Sequence, residues 1–293
     1  MTAAPLWRSM LFVPATAERF VAKAHTRGAD AIIIDLEDSI APGQKEAARA
    51  LIPEVLAQVG QSGADVLVRI NRPLRLAIRD IEAAVLPGVA ALMVPKAENA
   101  AHIRLLSEVI SELEQERGIP DGQTRLVTLI ETPEGLRNAS DIAKCPRMAG
   151  ITLGGEDFAD ALGMAEADTE ELIQYLRMVQ LSAREAGILA LGYPGSIANF
   201  SDLDGYRADI DRARRMGMDG GACIHPAQVP ILNAGFSPTP EAISQAERLV
   251  DAYDRALAAG EGAIELDGKM IDVPIANRAR RILAMRDRIA AKS

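Results

Sequence analysis

The stretch Asp30-Ala-Ile-Ile-Ile-Asp-Leu-Glu-Asp-Ser-Ile-Ala-Pro42 decides how the rest of the chain is read. Its first part, Ala31–Leu36, is a short run rich in Ile, apolar at odd and even positions alike until Asp35. Strands that are apolar on both faces belong in a parallel sheet covered by helices. Its second part sets Asp35, Glu37 and Asp38 at the C-terminal end of that strand. The same pattern recurs outward along the chain, in Ser9–Val13, Val66–Ile70, Ala91–Val94, Leu126–Ile130, Ile151–Leu153, Ile188–Leu191 and Ala222–Ile224. Each run is short, apolar and bounded by turn residues. The segments between them read as helices: Thr16–Arg27 with Thr16 as N-cap, Lys45–Val59, Ile78–Val85, Ala100–Arg117, Thr169–Ala186 and Gly205–Met216. Strands alternating with helices in this way predict an α/β fold, a (β/α)8 TIM barrel in preference to an open doubly wound sheet. The open sheet stands as the alternative.

The pattern changes after the eighth run. Gly235-Phe-Ser-Pro-Thr-Pro240 breaks the chain, Glu241–Ala258 is helical, and Gly260-Glu-Gly262 is a flexible joint. Ala263–Asp272 reads as a hairpin around Asp267-Gly268, and Ile275–Ile289 as a last helix rich in Arg and Ala. The expected division is a barrel over residues 1–235 and a C-terminal helical lid or arm over 236–293, more chain than barrel closure requires.

Composition narrows the function. The 293 residues carry a net charge of −9, which argues against nucleic acid or an anionic membrane as partner. An anionic small molecule stays admissible if its site is locally basic. Cys145 and Cys223 make neither a metal spacing nor a disulfide framework, so a reducing cytoplasm is the default location. The N-terminus shows no signal-peptide pattern, and no apolar stretch approaches the roughly 18 residues of a membrane span. No dinucleotide or P-loop fingerprint is present; Gly154-Gly155 reads as a strand-end turn that permits close approach.

Side chains at the C-terminal strand ends of a barrel surround its active site. Those positions hold Asp35, Glu37, Asp38, Arg69, Asn71, Lys96, Glu131, Glu156, Asp157, Tyr193 and His225. Carboxylates crowded on one rim repel unless a cation neutralises them. Without a Cys/His cluster that cation should be hard, Mg2+ before Zn2+, held by one or two carboxylates with waters and substrate oxygens. Each residue also has a plainer reading. Glu131 is also readable as a surface carboxylate, Asp157 or Asp38 as a helix cap, Asp272 as the N-cap of the last helix, and Arg69 as an ion-pair partner of Asp35 or Glu37. Arg19, Lys23 and Arg27 form a basic stripe on one helix face, which is either solvated or a seat for phosphates.

Eight segments together carry a resemblance: RSMLFVPA (8–15), DAIIIDLEDSIAP (30–42), VRIN (68–71), MVPKAE (93–98), LIETPEGLRN (129–138), LGGEDFADALG (153–163), CIHPAQV (223–229) and DGKMIDVP (267–274). In order and at strand ends, they resemble the citrate lyase β-subunit-like family, with its malyl-CoA and citramalyl-CoA lyases, in the HpcH/HpaI aldolase superfamily. The resemblance implies a homotrimer or hexamer of TIM barrels, Mg2+, and CoA thioester substrates cleaved to an acyl thioester and a keto acid. It implies Glu131 and Asp157 as the metal carboxylates, with Glu131 also touching substrate, and Arg69 as the group that holds the keto acid. Asp272 becomes an acid/base on a lid that reaches a neighbour's site. Phe12, Arg19 and Lys23 meet the CoA side, and Ile224 and His225 line the substrate site. Apart from the resemblance, Asp35, Glu37 and Asp38 read as groups that order the metal's waters and Arg69 from behind, with a helix cap as the alternative for Asp38.

Two departures qualify the match. Aldolases of the superfamily place a His base where this chain has Asp38, which argues against that branch. After the seventh strand, where CoA lyases often show Asp-Gly, this chain reads Ala190-Leu-Gly-Tyr-Pro-Gly-Ser196. The expected activity is therefore a Mg2+-dependent carbon–carbon lyase on a malyl-, citramalyl- or citryl-type thioester. The rivals are a citrate lyase β subunit acting on an acyl-carrier protein, an acyl-CoA thioesterase, and a catalytically silent binding subunit.

Overall fold

A computed structural model describes residues 4–167, 169–198 and 200–292. The apolar runs form parallel strands β1 (Ser9–Pro14), β2 (Ala31–Asp35), β3 (Asp65–Arg69), β4 (Val89–Val94), β5 (Arg125–Ile130), β6 (Met148–Leu153), β7 (Leu189–Leu191) and β8 (Gly221–Cys223). Their order is β7-β6-β5-β4-β3-β2-β1-β8, so β1 pairs with both β2 and β8. The remaining gap is bridged by Leu191 and Gly220, where Gly192 N–H donates to Gly220 O at 2.8 Å. The sheet closes on itself, which decides for the barrel over the open sheet.

Helix limits depart from the sequence reading where capping or proline intervenes. The first helix runs Glu18–Ala24 with Ala17 at its N-cap and no side-chain cap; Thr16 stands one residue too early, and His25–Arg27 tightens to a 3-10 turn. The single helix expected over Lys45–Val59 is two, Lys45–Ala50 and Ile52–Val59. Pro53 has no N–H to continue the first, yet suits the opening turn of the second. The short helices Pro133–Arg137, Ala139–Ala143 and Val229–Gly235 have no counterpart in the sequence reading, because so few residues show no helical period, and the helix Gly155–Ala161 begins before Asp157.

Strand alternation sorts the core into two layers and also places the site. Ile32, Ile34, Val66, Val68, Leu92 and Val94 face the helices. Ala31, Ile33, Leu67, Ala91, Met93, Val127 and Leu129 fill the barrel interior with Trp7 and Met10. The period of two carries the inward face onward from Ile33 to Asp35, from Leu67 to Arg69 and from Leu129 to Glu131. In β6 the register against β5 skips Ala149, so that Gly150 pairs with Val127. This shift turns Thr152 and Gly154 toward the cavity.

Residues 237–293 form a separate compact unit from residues 1–236. Thr239 caps the helix Pro240–Ala258, its Oγ1 accepting from Ala242 N–H at 3.2 Å. Strands β9 (Ile264–Leu266) and β10 (Lys269–Ile271) pair antiparallel around Asp267-Gly268, both at positive φ as a tight hairpin requires. The last helix spans Val273–Lys292. Tyr253, Ile271 and Ala276 make this unit's small core.

Candidate active site

Arg69 is the hub of the β2–β3 side of the rim. Its Nε and Nη2 donate to the two oxygens of Asp35, each at 2.7 Å, in a bidentate fork. Nη1 lies 2.9 Å from Glu37 Oε2 and 3.3 Å from Asp38 Oδ2. The Phe12 ring lies under the guanidinium, 4.8 Å from its carbon. Asp35 also accepts from Glu37 N–H at 2.9 Å and from the N–H and hydroxyl of Ser39. Burial pushes the Asp35 carboxyl up, but the Arg69 hydrogen bonds and charge outweigh it and hold the group below the usual range. Burial likewise works against the Arg69 charge, and Asp35 more than restores it. Glu37 fares differently. Its Oε2 is out of line with the Arg69 N–H and makes no hydrogen bond. Burial, aided by Asp38, Glu131 and Asp35 and opposed by Arg69, pushes it up to about 8.

Buried polar groups fix this side from below. Asn71 Nδ2 donates to Leu36 O at 2.9 Å and to Asp80 Oδ2 at 2.7 Å, and Lys45 Nζ donates to the carbonyls of Leu36 and Glu37. Asp80 also takes Arg49 Nε at 2.9 Å.

The β4–β6 side is more sparsely compensated. Glu131 is 4% exposed, and its Oε2 accepts the Lys96 N–H at 2.6 Å. Burial, reinforced by the Asp157 charge and opposed by the Lys96 N–H, pushes its carboxyl up to about 7. Gly154 stands against it: a Cβ there would lie 2.5 Å from Glu131 Cγ and 2.6 Å from Oε1, so only glycine admits the carboxylate. Asp157, in the first turn of the helix Gly155–Ala161, is 40% exposed and 3.0 Å from Lys96 Nζ. It makes no capping bond, so the cap reading of Asp157 fails.

These groups open onto a cavity of about 790 Å³ lined by Arg69, Glu131 and Asp157 with Phe12, Thr152 and Tyr193. Its wall also includes Ile224 and His225. His225 has a structural role beside this: Nδ1 accepts from Ala227 N–H at 3.2 Å, and the ring stacks on Phe200 with centroids 5.3 Å apart. From the basic stripe, Arg27 lines the cavity; Arg19 and Lys23 are exposed on the same helix, with Arg19 over the Phe20 ring. Asp272 belongs to the C-terminal unit, where its Oδ1 accepts from Ile275 N–H at 3.3 Å at the start of the last helix. Its cap reading is thus observed.

The structure unites Asp35, Glu37, Asp38, Arg69, Glu131 and Asp157, all drawn from strand ends. Sequence reasoning gave Lys96 no role, although it touches both Glu131 and Asp157. Its place after a strand was visible; its left-handed backbone was not. Phe20, Thr152 and Leu172 also line the cavity, but nothing in their local sequence marks them.

Among the described residues, no three His, Cys, Asp or Glu side chains converge as a complete metal cage. Glu131 and Asp157 can hold a hard divalent cation only if waters or substrate supply the other oxygens, which is the usual Mg2+ arrangement. The buried, weakly compensated Glu131 and the hydrogen-bond-less oxygen of Glu37 both fit a rim that lacks positive charge.

Comparison with known proteins places the chain in a family. The chain is 34% identical over 283 residues to citrate lyase subunit beta of Leuconostoc mesenteroides subsp. cremoris, covering 96% of this chain and 93% of that one. It is also 34% identical over 287 residues to a (3S)-malyl-CoA thioesterase of Cereibacter sphaeroides, covering 97% and 96%. The crystal structure of CitE from Mycobacterium tuberculosis, in complex with magnesium, acetoacetate and coenzyme A, is similar with a TM-score of 0.74 and 28% identity. That match covers 98% of this chain and all of the other. Residues 8–226, which include every rim residue described above, match the HpcH/HpaI aldolase/citrate lyase family model, and the chain belongs to that family.

Proposed function

We propose that this protein is a Mg2+-dependent carbon–carbon lyase that cleaves a β-hydroxyacyl thioester of the malyl-, citramalyl- or citryl-CoA type. The products are an acyl thioester such as acetyl-CoA and an α-keto acid. The observation that carries this reading is the pair Glu131, buried with a single backbone N–H as its hydrogen-bond donor, and Asp157, which share one cavity with Arg69. Glu131 and Asp157 would hold the Mg2+; when bound, it supplies Lewis acidity and a template for the substrate's hydroxyl and adjacent carboxylate.

Arg69 directs positive charge at the oxygen that becomes the keto oxygen. Asp35, Glu37 and Asp38 hold the guanidinium in place, and Phe12 supports it from the barrel side. The hydroxyl gives its proton to solvent water, the carbon–carbon bond breaks, and its electron pair passes to the thioester as an enolate. Asp272, from the C-terminal unit of a neighbouring copy in a homotrimer or hexamer, protonates that enolate. Arg19 and Lys23 meet the CoA phosphates, while Ile224 and His225 flank the acyl portion. The two cysteines and the charge of −9 accord with a cytoplasmic enzyme. No helix among the described residues is long and apolar enough to cross a membrane.

The test is an assay of the purified protein against a panel of thioesters, with and without Mg2+. Keto acid should form together with acyl-CoA, and its release in excess chelator would overturn the metal reading. The likeness to a malyl-CoA thioesterase supports a second outcome at the same site, hydrolysis of the thioester, which free CoA without acetyl-CoA would reveal. The likeness to citrate lyase subunit beta supports an acyl-carrier donor, which capture of an acyl-carrier protein would reveal. Asp272→Ala should leave Mg2+ affinity unchanged while turnover falls; unchanged turnover would reduce Asp272 to the cap it forms in its own unit.

A further inference from the structure

Lys96 reaches both carboxylates through opposite ends of one residue. Its main-chain N–H donates to Glu131 Oε2 at 2.6 Å, and its Nζ lies 3.0 Å from Asp157 Oδ1. It does so from a left-handed backbone, with φ of 48°, which a residue bearing a Cβ seldom adopts. The surroundings enforce that conformation. Lys96 O accepts from Arg72 Nε at 3.0 Å, Ala97 N–H donates to Leu129 O at 3.0 Å, and Asn138 Nδ2 donates to Glu98 O at 2.7 Å. Position 135 is a glycine because a Cβ there would lie 2.3 Å from Ala97 O. Strain held by this many independent contacts is a mark of a functional position.

We propose that Lys96 is the positioning residue of the Glu131–Asp157 pair. Its N–H fixes the Glu131 carboxylate and its ammonium fixes that of Asp157. The oxygen it leaves on each, Glu131 Oε1 and Asp157 Oδ2, is the one presented to Mg2+. The assignment rests on the reading of Glu131 and Asp157 as the metal carboxylates. It separates the residue into two functions. The left-handed backbone aims the N–H, which any residue tolerant of that φ supplies, and the charge at the end of the side chain supplies the rest.

Three variants resolve these functions when Mg2+ binding to the free protein is measured by titration calorimetry, with a melt in chelator as the check on folding. Lys96→Met should weaken Mg2+ binding by about tenfold or more, the scale on which groups behind metal ligands act. Lys96→Gly keeps the N–H and adopts the left-handed backbone freely, so it should lose the same factor. Lys96→Arg restores the charge and should recover most of the affinity. If Lys96→Met binds Mg2+ as tightly as the wild type, or more tightly, Lys96 merely competes with the metal and the proposal is overturned. If Glu131→Gln still binds Mg2+ normally, the metal pair itself is misread, and the assignment fails with it.

Discussion

The two sides of the barrel rim face the same problem, crowded carboxylates, and answer it differently. On the β2–β3 side Arg69 forks onto Asp35 and touches Glu37 and Asp38, so the positive charge is built into the fold. On the β4–β6 side Glu131 is buried with a main-chain N–H as its hydrogen-bond donor, and Asp157 has a half-exposed lysine. The protonation tendencies follow each group's partners: Asp35, in the Arg69 fork, is held below the usual carboxylate range, whereas Glu131 is pushed up to about 7 and Glu37, whose Oε2 makes no hydrogen bond, to about 8. On the β2–β3 side the carboxylates hold Arg69 in place at the cavity wall. A side that is left short of positive charge is where a cation and an anionic substrate gain most by binding.

The comparison breaks most readily at Glu131. Glu131→Gln should abolish measurable Mg2+ binding and lower turnover by more than about a hundredfold, exceeding the loss typical of groups that only support a metal ligand. In chelator the same variant should melt higher than the wild type, because a buried, poorly compensated charge has been removed. A lower melting temperature in chelator would mean that the β4–β6 side is a structural scaffold after all.

Arg69→Ala tests the opposite side. It strands Asp35 and Glu37 without their cation, and loss of one partner from a buried pair costs about 3–5 kcal/mol. A urea melt in chelator should show a loss of that order, along with loss of keto-acid formation. Arg69→Lys should regain part of the stability and little of the activity, since an ammonium cannot fork onto Asp35.

The pH dependence sharpens the contrast. The folded protein holds protons on Glu131, raised to about 7, and Glu37, raised to about 8, that the unfolded chain releases near 4.5. Stability from these groups is therefore fully present below about pH 4.5 and is lost as pH rises through 7 and 8. The metal-free protein should be less stable at pH 8.5 than at pH 6, by about 1 kcal/mol from Glu131 and about 2–3 kcal/mol from Glu37. Glu131→Gln should flatten that slope, whereas Asp35→Asn should not. The smallest effect is expected away from the rim. Lys23→Ala should raise KM for a CoA thioester only a few-fold, as suits an exposed ionic contact, and the change should shrink in high salt.

Much of this was legible in the sequence. The apolar runs marked all eight barrel strands, and strand alternation determined that Asp35, Arg69 and Glu131 point the same way as Ile33, Leu67 and Leu129. The choice of Glu131 and Asp157 from a longer row of acids came from the resemblance, whose motifs sit at those strand ends. Helix limits were less legible, because Pro53 and an uncapped Ala17 act locally against a longer apolar period. Lys96 was legible as a strand-end residue and nothing more. Its importance depends on a positive φ, set by Arg72, Leu129 on a neighbouring strand, and the close packing of Gly135, all distant in sequence.

By itself, then, the sequence determined the strand period, the parallel sheet and the supply of carboxylates, since these follow from local order along the chain. Only the tertiary structure decided which carboxylate keeps its charge. That depends on burial and on partners from other strands: Asp35 meets the Arg69 fork, whereas Glu131, buried on the facing side, meets a single backbone N–H.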